Sequence, residues 1–191
     1  AITAALGTYA PLLLAGVTGS GKTDVYLAAA GEAIARGGQV LLLVPEINLT
    51  PQLEQRIGAS LPGGRMVSLH SGLAAGARRR NWLAAATGAV DLVVGSRLAV
   101  FAPLPRLALV IVDEAWGGHL RFHPDLPLSA IEAGADVAVQ STHKLAGGLQ
   151  QTGLIHWREG RVDSELMEEA YREYVTTSPS YHLLASADAA V

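Results

Sequence analysis

The chain has 191 residues, half of them hydrophobic, and a formal net charge of −3. This length suits one α/β domain with a sizeable core, and the weak negative charge gives no overall attraction to nucleic acid. The absence of cysteine excludes disulfides, thiolate metal sites and cysteine catalysis, and no apolar run reaches the roughly 18 residues that span a bilayer. Since Ala1 is not followed by an export signal, we expect a cytoplasmic fragment or excised domain with no membrane partner.

Strand-like and helix-like segments alternate along the chain in a βα rhythm. In chain order, apolar runs bounded by turn residues predict strands at 11–15, 39–44, 66–69, 91–94, 107–112, 136–140 and 154–157. Helices are predicted at 22–36, 50–59, 75–88, 128–133 and 163–174 and near the C-terminus, with Trp82 and Leu83 facing inward. Continuous apolar strands are typical of parallel sheets, so the sequence predicts a three-layer α/β fold with a mostly parallel sheet and helices on both faces.

A phosphate-binding loop lies between the first predicted strand and the first predicted helix. Residues 16–23 read GVTGSGKT and match G-x-x-x-x-G-K-[ST] in full. Glycines let backbone N–H groups point at phosphate oxygens, while the lysine reaches the β- and γ-phosphates and the threonine binds Mg²⁺. The predicted ATP-binding residues are Gly16, Thr18, Gly19, Ser20, Gly21, Lys22 and Thr23.

An acidic pair follows the apolar strand 107–112, where a nucleotide site needs carboxylates. Asp113 is expected to complete the Mg²⁺ shell with Thr23, and Glu114 to polarise the attacking water. The sequence therefore predicts Lys22, Asp113 and Glu114 as the catalytic residues of an ATPase that uses ATP with Mg²⁺.

Four stretches carry a first family resemblance, namely 14–23, 43–52, 69–72 and 94–103. On these stretches, residues 1–114 resemble the first RecA-like motor domain of the primosomal replication-restart DNA helicases of superfamily 2. The resemblance implies contacts of Pro45, Thr50 and Arg97 with the backbone of single-stranded DNA. The second motor lobe and arginine finger of that family are not recognisable, so we expect no unwinding and only weak DNA binding by these residues alone.

A second resemblance begins where the first one ends. The stretches 112–119, 122–127 and 134–144 and part of the tail resemble the fold-type-I PLP-dependent ornithine/lysine/arginine decarboxylases. That resemblance implies PLP on Lys144, Asp113 beside the pyridinium nitrogen, and Ser141 and His143 at the phosphate. The upstream half of that family's large domain and its small domain are not recognisable.

Two minor candidates are weaker. His119 and His123 stand four residues apart, but flanking Gly and Pro residues argue against the helix that a zinc site at this spacing needs. Residues 78–80 are three consecutive arginines, which we interpret as a solvated helix face in preference to a phosphate contact.

The two resemblances meet at residues 112–115, so we interpret the chain as a chimera with a helicase-type segment at 1–114 and a decarboxylase-like segment at 115–191. In one hypothesis the second segment completes the sheet of the first. Strand 136–140 would then lie beside strand 11–15, and Lys144 would lie near the nucleotide. Only two lysines occur, Lys22 and Lys144, and a single Asp113 cannot serve both cofactors. The sequence favours ATP at Lys22 over PLP at Lys144, leaves a non-functional chimera as a third interpretation, and predicts no oligomeric state.

Overall fold

The computed structural model describes residues 9–15, 22–61, 63–174, 178 and 180–190. The chain divides into two compact units. The central unit is Leu27–Asp113, and the split unit combines Ala1–Tyr26 with Glu114–Val191. The split unit therefore groups the first strand with the C-terminal segment, whereas the division of function at 114 and 115 stays a prediction.

The strands are β1 (Tyr9–Ala15), β2 (Gln39–Leu43), β3 (Met66–Leu69), β4 (Leu92–Gly95), β5 (Leu107–Asp113), β6 (Val137–Gln140) and β7 (Thr152–Arg158). The helices are α1 (Lys22–Ala35), α2 (Pro51–Ser60), α3 (Ala75–Ala86), α4 (Thr142–Leu145), α5 (Ser164–Tyr174) and α6 (Tyr181–Ala189). Each predicted strand is present, and the mixed α/β fold class is confirmed. No helix among the described residues has the length and apolar character to span a membrane.

In the central unit the strands follow the order β5-β2-β4-β3, and every pair is parallel. Their apolar side chains form a core with α3 and the loops, made of Leu41, Leu69, Ala85, Val90, Val93 and Ala99. Trp82 packs against this core, as predicted. Leu83 does not, because it is 50% exposed and follows Trp82 by about 100° around the helix.

The split unit contains the strand order β1-β7-β6, with both pairs antiparallel. The hypothesis that β6 lies beside β1 is therefore wrong, since β7 lies between them. Because β1 and β6 each run against β7, they run in the same direction and end at the same edge. At that edge Ala15 pairs with Thr152, and Gln140 pairs with Leu154.

The predicted helix at 128–133 is also wrong. Residues 130–134 form turns, in which the Glu132 carboxylate accepts hydrogen bonds from the backbone N–H and the hydroxyl of Ser129 at 3.1 and 2.7 Å. Gly134 then takes a φ of +109°, which ends any helical continuation. Among the described residues, the structure also contains three 3₁₀ helices that the sequence did not predict, Glu46–Asn48, Arg97–Phe101 and Leu120–Phe122.

Candidate nucleotide and cofactor sites

The phosphate-binding motif lies between two described elements, β1 and α1. β1 ends at Ala15, and α1 begins at Lys22, so a strand precedes the motif and a helix follows it. The predicted ATP contacts Gly16, Thr18, Gly19, Ser20 and Gly21 lie outside the described residues. Thr23 stands in the first turn of α1, where the backbone N–H groups and the helix dipole favour a bound anion.

Asp113 ends β5 in the central unit, as the sequence predicted. Its Oδ2 accepts a hydrogen bond from Nδ2 of Asn48 at 3.4 Å. Asn48 closes the 3₁₀ helix Glu46–Asn48, which directly follows Pro45. The predicted metal ligand and the predicted DNA-contacting segment therefore meet at the carboxyl ends of β5 and β2.

Glu114 is half-buried in the split unit, and both of its carboxylate oxygens accept hydrogen bonds. Oε1 accepts from the backbone N–H of Ala130 at 2.9 Å, and Oε2 accepts from Nε2 of Gln140 at 2.7 Å. A Cβ at Gly117 would overlap the Glu114 side chain, so only glycine leaves room for this placement. Burial raises the pKa of Glu114 even though these two donors and His119 act to lower it. The carboxylate has a structural role in this arrangement.

Gln140 extends the arrangement to a buried histidine. Its Nε2 donates to Glu114, so its Oε1 faces Nε2 of His156 at 3.1 Å and that ring nitrogen carries the proton. Burial, with a smaller effect of Arg121, lowers the pKa of His156 to about 4. Sequence reasoning missed both residues, although a glutamine and a histidine within otherwise apolar strands were a usable signal.

The residues predicted for PLP gather around the short helix α4. The Lys144 ammonium lies 4.9 Å from the centroid of the Trp116 ring, a cation–π distance. His143 donates from Nδ1 to the backbone carbonyl of Thr152 at 2.8 Å, because a carbonyl can only accept. Ser141 is buried at the end of β6. These three side chains share the strand edge at which β1 ends.

The donor set near α4 fits a phosphorylated cofactor in part. Ser141 and His143 adjoin Lys144, and Nδ1 of His119 is a buried ring nitrogen without a hydrogen-bond partner among the described residues. Gly118, the residue before His119, faces Ala146 just beyond α4. Against this, the Lys144 ammonium already contacts the indole ring of Trp116.

Glu46 connects the segments predicted to contact DNA. Its Oε1 accepts from the hydroxyls of Ser71 and Ser96, both at 3.1 Å, and its Oε2 accepts from Arg97 at 3.3 Å. The Ser96 hydrogen bond, followed by the one from Ser71, lowers the pKa of Glu46. The sequence predicted Arg97 but missed the carboxylate that holds it.

Thr50 has a further role, since its hydroxyl caps α2 by accepting from the N–H of Leu53 at 3.2 Å.

The strand–motif–helix order, the carboxylate after β5 and the parallel central unit are typical of P-loop proteins. Residues 1–116 match the family model of the DEAD/DEAH box helicases, and the chain belongs to that family. Residues 102–191 match the model of the Orn/Lys/Arg decarboxylase major domain. The predicted meeting point at 112–115 lies within the overlap of the two matches, so the chain combines segments of two families.

Relatives of both kinds are similar to separate parts of the chain. The replication restart protein PriA of Synechocystis sp. is 48% identical over 106 residues, which is 56% of this chain and 13% of that protein. PriA of Bacillus subtilis is 44% identical over 102 residues, covering 53% and 12% respectively. The arginine decarboxylase of Bacillus subtilis is 51% identical over 81 residues, covering 42% and 16%. The chain thus spans less than a fifth of the length of each of these relatives.

Solved structures are similar to nearly the whole chain in fold alone. Oryza sativa TDC with PLP has a TM-score of 0.52 at 14% identity, covering 90% of this chain and 46% of that one. Burkholderia pseudomallei sphingosine-1-phosphate lyase has a TM-score of 0.51 at 16% identity, covering 96% and 48%.

Proposed function

We propose that this chain is the nucleotide-binding part of a helicase-type motor lobe and binds ATP with Mg²⁺ through residues 16–23. The observation that carries the proposal is the complete phosphate-binding motif, placed between β1 and α1 and covered by the helicase family match. Lys22 would contact the β- and γ-phosphates, and Thr23 and Asp113 would hold the metal. In this proposal the chain acts in the cytoplasm, as expected from the sequence.

The proposed activity is binding with slow turnover. A residue that polarises the attacking water must turn its carboxylate towards that water, but Glu114 is held on Oε1 by the N–H of Ala130 and on Oε2 by Nε2 of Gln140. We propose that these 191 residues do not unwind DNA alone and bind single-stranded DNA weakly through Pro45, Thr50 and Arg97.

Thermal unfolding with and without Mg-ATP tests this function. At about one hundred times the dissociation constant, a ligand that binds only the folded state adds about 2.7 kcal/mol, which is roughly 5–10 °C for a chain of this size. We expect this shift in the parent chain and in Lys144→Ala, and its loss in Lys22→Ala. An equal shift in Lys22→Ala would refute binding at this motif.

A PLP site is the second candidate, favoured by the clustering of Ser141, His143 and Lys144 and by the unpartnered Nδ1 of His119. Bound PLP would supply an electron sink for amino-acid chemistry. The chain's own residues would provide the attachment point at Lys144 and donors for the phosphate. An absorbance band of lysine-bound PLP that disappears in Lys144→Ala, without any shift by Mg-ATP, would replace the first proposal with this one.

A further inference from the structure

A cavity of about 370 Å³ opens on the central unit, and none of the residues already assigned a functional role lines it. It lies between the end of β3, the first turns of α3 and the 3₁₀ helix Arg97–Phe101. Its lining residues are Leu69, Ala75, Arg78, Arg79, Trp82 and Leu98. The volume is in the range of ligand-binding pockets and is large enough for a base with its sugar, but not for a folded partner.

The cavity has apolar walls that are held in place by the core. Leu69 is 1% exposed and belongs to the core cluster, and the Trp82 ring packs against that same cluster. Leu98 closes the rim and is 39% exposed. A fixed indole beside aliphatic side chains is a suitable surface for a flat, apolar ring, since stacking needs little further ordering of the protein.

Two guanidinium groups stand at the same cavity without a counter-charge. Among the described residues no ion pair involves Arg78 or Arg79, and α3 contains no acidic residue. By contrast, Arg97 beside Leu98 is held by Glu46 at 3.3 Å. The positive charge available to an anionic ligand on this face is therefore concentrated at Arg78 and Arg79.

We propose that this cavity binds one nucleotide of single-stranded DNA, with the base against Trp82 and Leu98 and the adjoining phosphates on Arg78 and Arg79. An apolar ring joined to a phosphate chain is the chemistry that complements these walls and charges. Duplex DNA does not fit, because its bases are stacked and paired. This site is separate from Pro45, Thr50 and Arg97, and it rests on the proposed function only in assigning the lobe to nucleic-acid handling.

The chain offers a matched control one position along α3. Arg80 carries the same charge on the same helix but does not line the cavity. We would measure the fluorescence anisotropy of a labelled oligothymidylate of about ten nucleotides against the full chain at about 50 mM salt and above. Arg78→Gln and Arg79→Gln are each expected to weaken binding about five- to tenfold and to reduce the salt slope by about 0.7, whereas Arg80→Gln changes binding less than twofold.

A second measurement tests the stacking directly. Oligothymidylate should quench the tryptophan fluorescence of the parent chain, and Trp82→Phe should remove the quench while keeping most of the affinity, because phenylalanine also stacks. Leu98→Glu, which places a charge at an exposed rim, should weaken binding about tenfold or more without unfolding the chain. Any one of four results would overturn the proposal. These are equal effects of all three arginine variants, a quench that survives Trp82→Phe, equal competition by duplex DNA, and no binding at low salt.

These outcomes are distinguishable from those of the nucleotide test. A Mg-ATP shift lost in Lys22→Ala together with DNA binding unaffected at Arg78 and Arg79 would leave the function standing and refute the cavity site. DNA binding that depends on Arg78 and Arg79, without any Mg-ATP shift, would do the reverse.

Discussion

Gln140 joins two ionisable side chains of the split unit that both resist carrying a charge. Burial raises the pKa of Glu114 and lowers the pKa of His156 to about 4, and the amide offers its N–H₂ to the carboxylate and its oxygen to the imidazole. This arrangement satisfies polar groups on buried strands that would otherwise cost roughly 1–3 kcal/mol each. It also holds in place the carboxylate that the sequence predicts to polarise the attacking water.

A pH dependence of stability follows from His156. Its pKa of about 4 in the folded chain lies below the ordinary value near 6.5, so between these values the unfolded chain binds the additional proton. The contribution of neutral His156 to the free energy of unfolding is therefore complete above about pH 6.5 and is lost as the pH falls towards 4. Between about pH 7 and pH 5 this loss is about 2 kcal/mol. The raised pKa of Glu114 acts in the opposite direction, because protonation relieves the cost of its buried charge.

Urea unfolding of the parent chain and of His156→Gln separates the two effects. Glutamine can keep the donor to Oε1 of Gln140 but does not titrate, so the free energy of unfolding of the variant should fall less on acidification. Parallel pH profiles for the two chains would contradict the assignment of the slope to His156.

At the scale of elements, β4 ends in a glycine because three segments converge there. Gly95 pairs with Leu69 of β3, its carbonyl accepts from the N–H of Val44 at 2.9 Å, and Ala99 of the 3₁₀ helix packs against it. A Cβ at Gly95 would overlap both the Leu69 carbonyl and the Ala99 side chain. The glycine thus fixes the approach of Arg97–Phe101, which carries Arg97 and the Leu98 rim of the cavity.

Gly95→Ala is expected to destabilise the chain by about 2 kcal/mol, as overpacking of a filled core does. Gly58→Ala is the matched control, because Gly58 lies in α2 and a Cβ there meets nothing within 4 Å. That substitution should stabilise the chain by about 0.5–1 kcal/mol through helix propensity. Equal effects of the two substitutions on the urea midpoint would refute the close approach at Gly95.

The positions of the strands could be predicted from the sequence, whereas the neighbour of β1 could not. Local hydrophobic pattern locates a strand such as 154–157 but carries no information on its pairing, which depends on contacts distant in the chain. The turns at 130–134 read as a helix because their residues favour helices, while Gly134 and the Ser129–Glu132 hydrogen bonds stop one. In the candidate sites, the sequence identified charged residues such as Arg97 but missed Glu46, which accepts a hydrogen bond from Arg97. Such a partner can be identified only in the folded chain, where residues distant in sequence meet.

At the scale of the whole molecule, one chain matches two family models, and each matched segment contains one of the chain's two lysines. The fold likeness to Oryza sativa TDC with PLP extends over 90% of the chain, while the helicase family match covers residues 1–116. The phosphate-binding motif is complete within residues 16–23 and takes one distant partner, Asp113, whereas the upstream half of the decarboxylases' large domain is not recognisable in this chain. We therefore expect nucleotide binding to survive the joining of segments better than PLP chemistry.

The central claim is that Lys22, and not Lys144, is the functional lysine. Calorimetric titration of Mg-ATP into the parent chain, Lys22→Ala and Lys144→Ala tests it most directly, because the three proteins differ only at the two lysines of the chain. We expect one binding site in the parent chain and in Lys144→Ala, and a loss of affinity of at least about a hundredfold in Lys22→Ala, because a charged phosphate contact is removed. Binding that is lost in Lys144→Ala but retained in Lys22→Ala would contradict it.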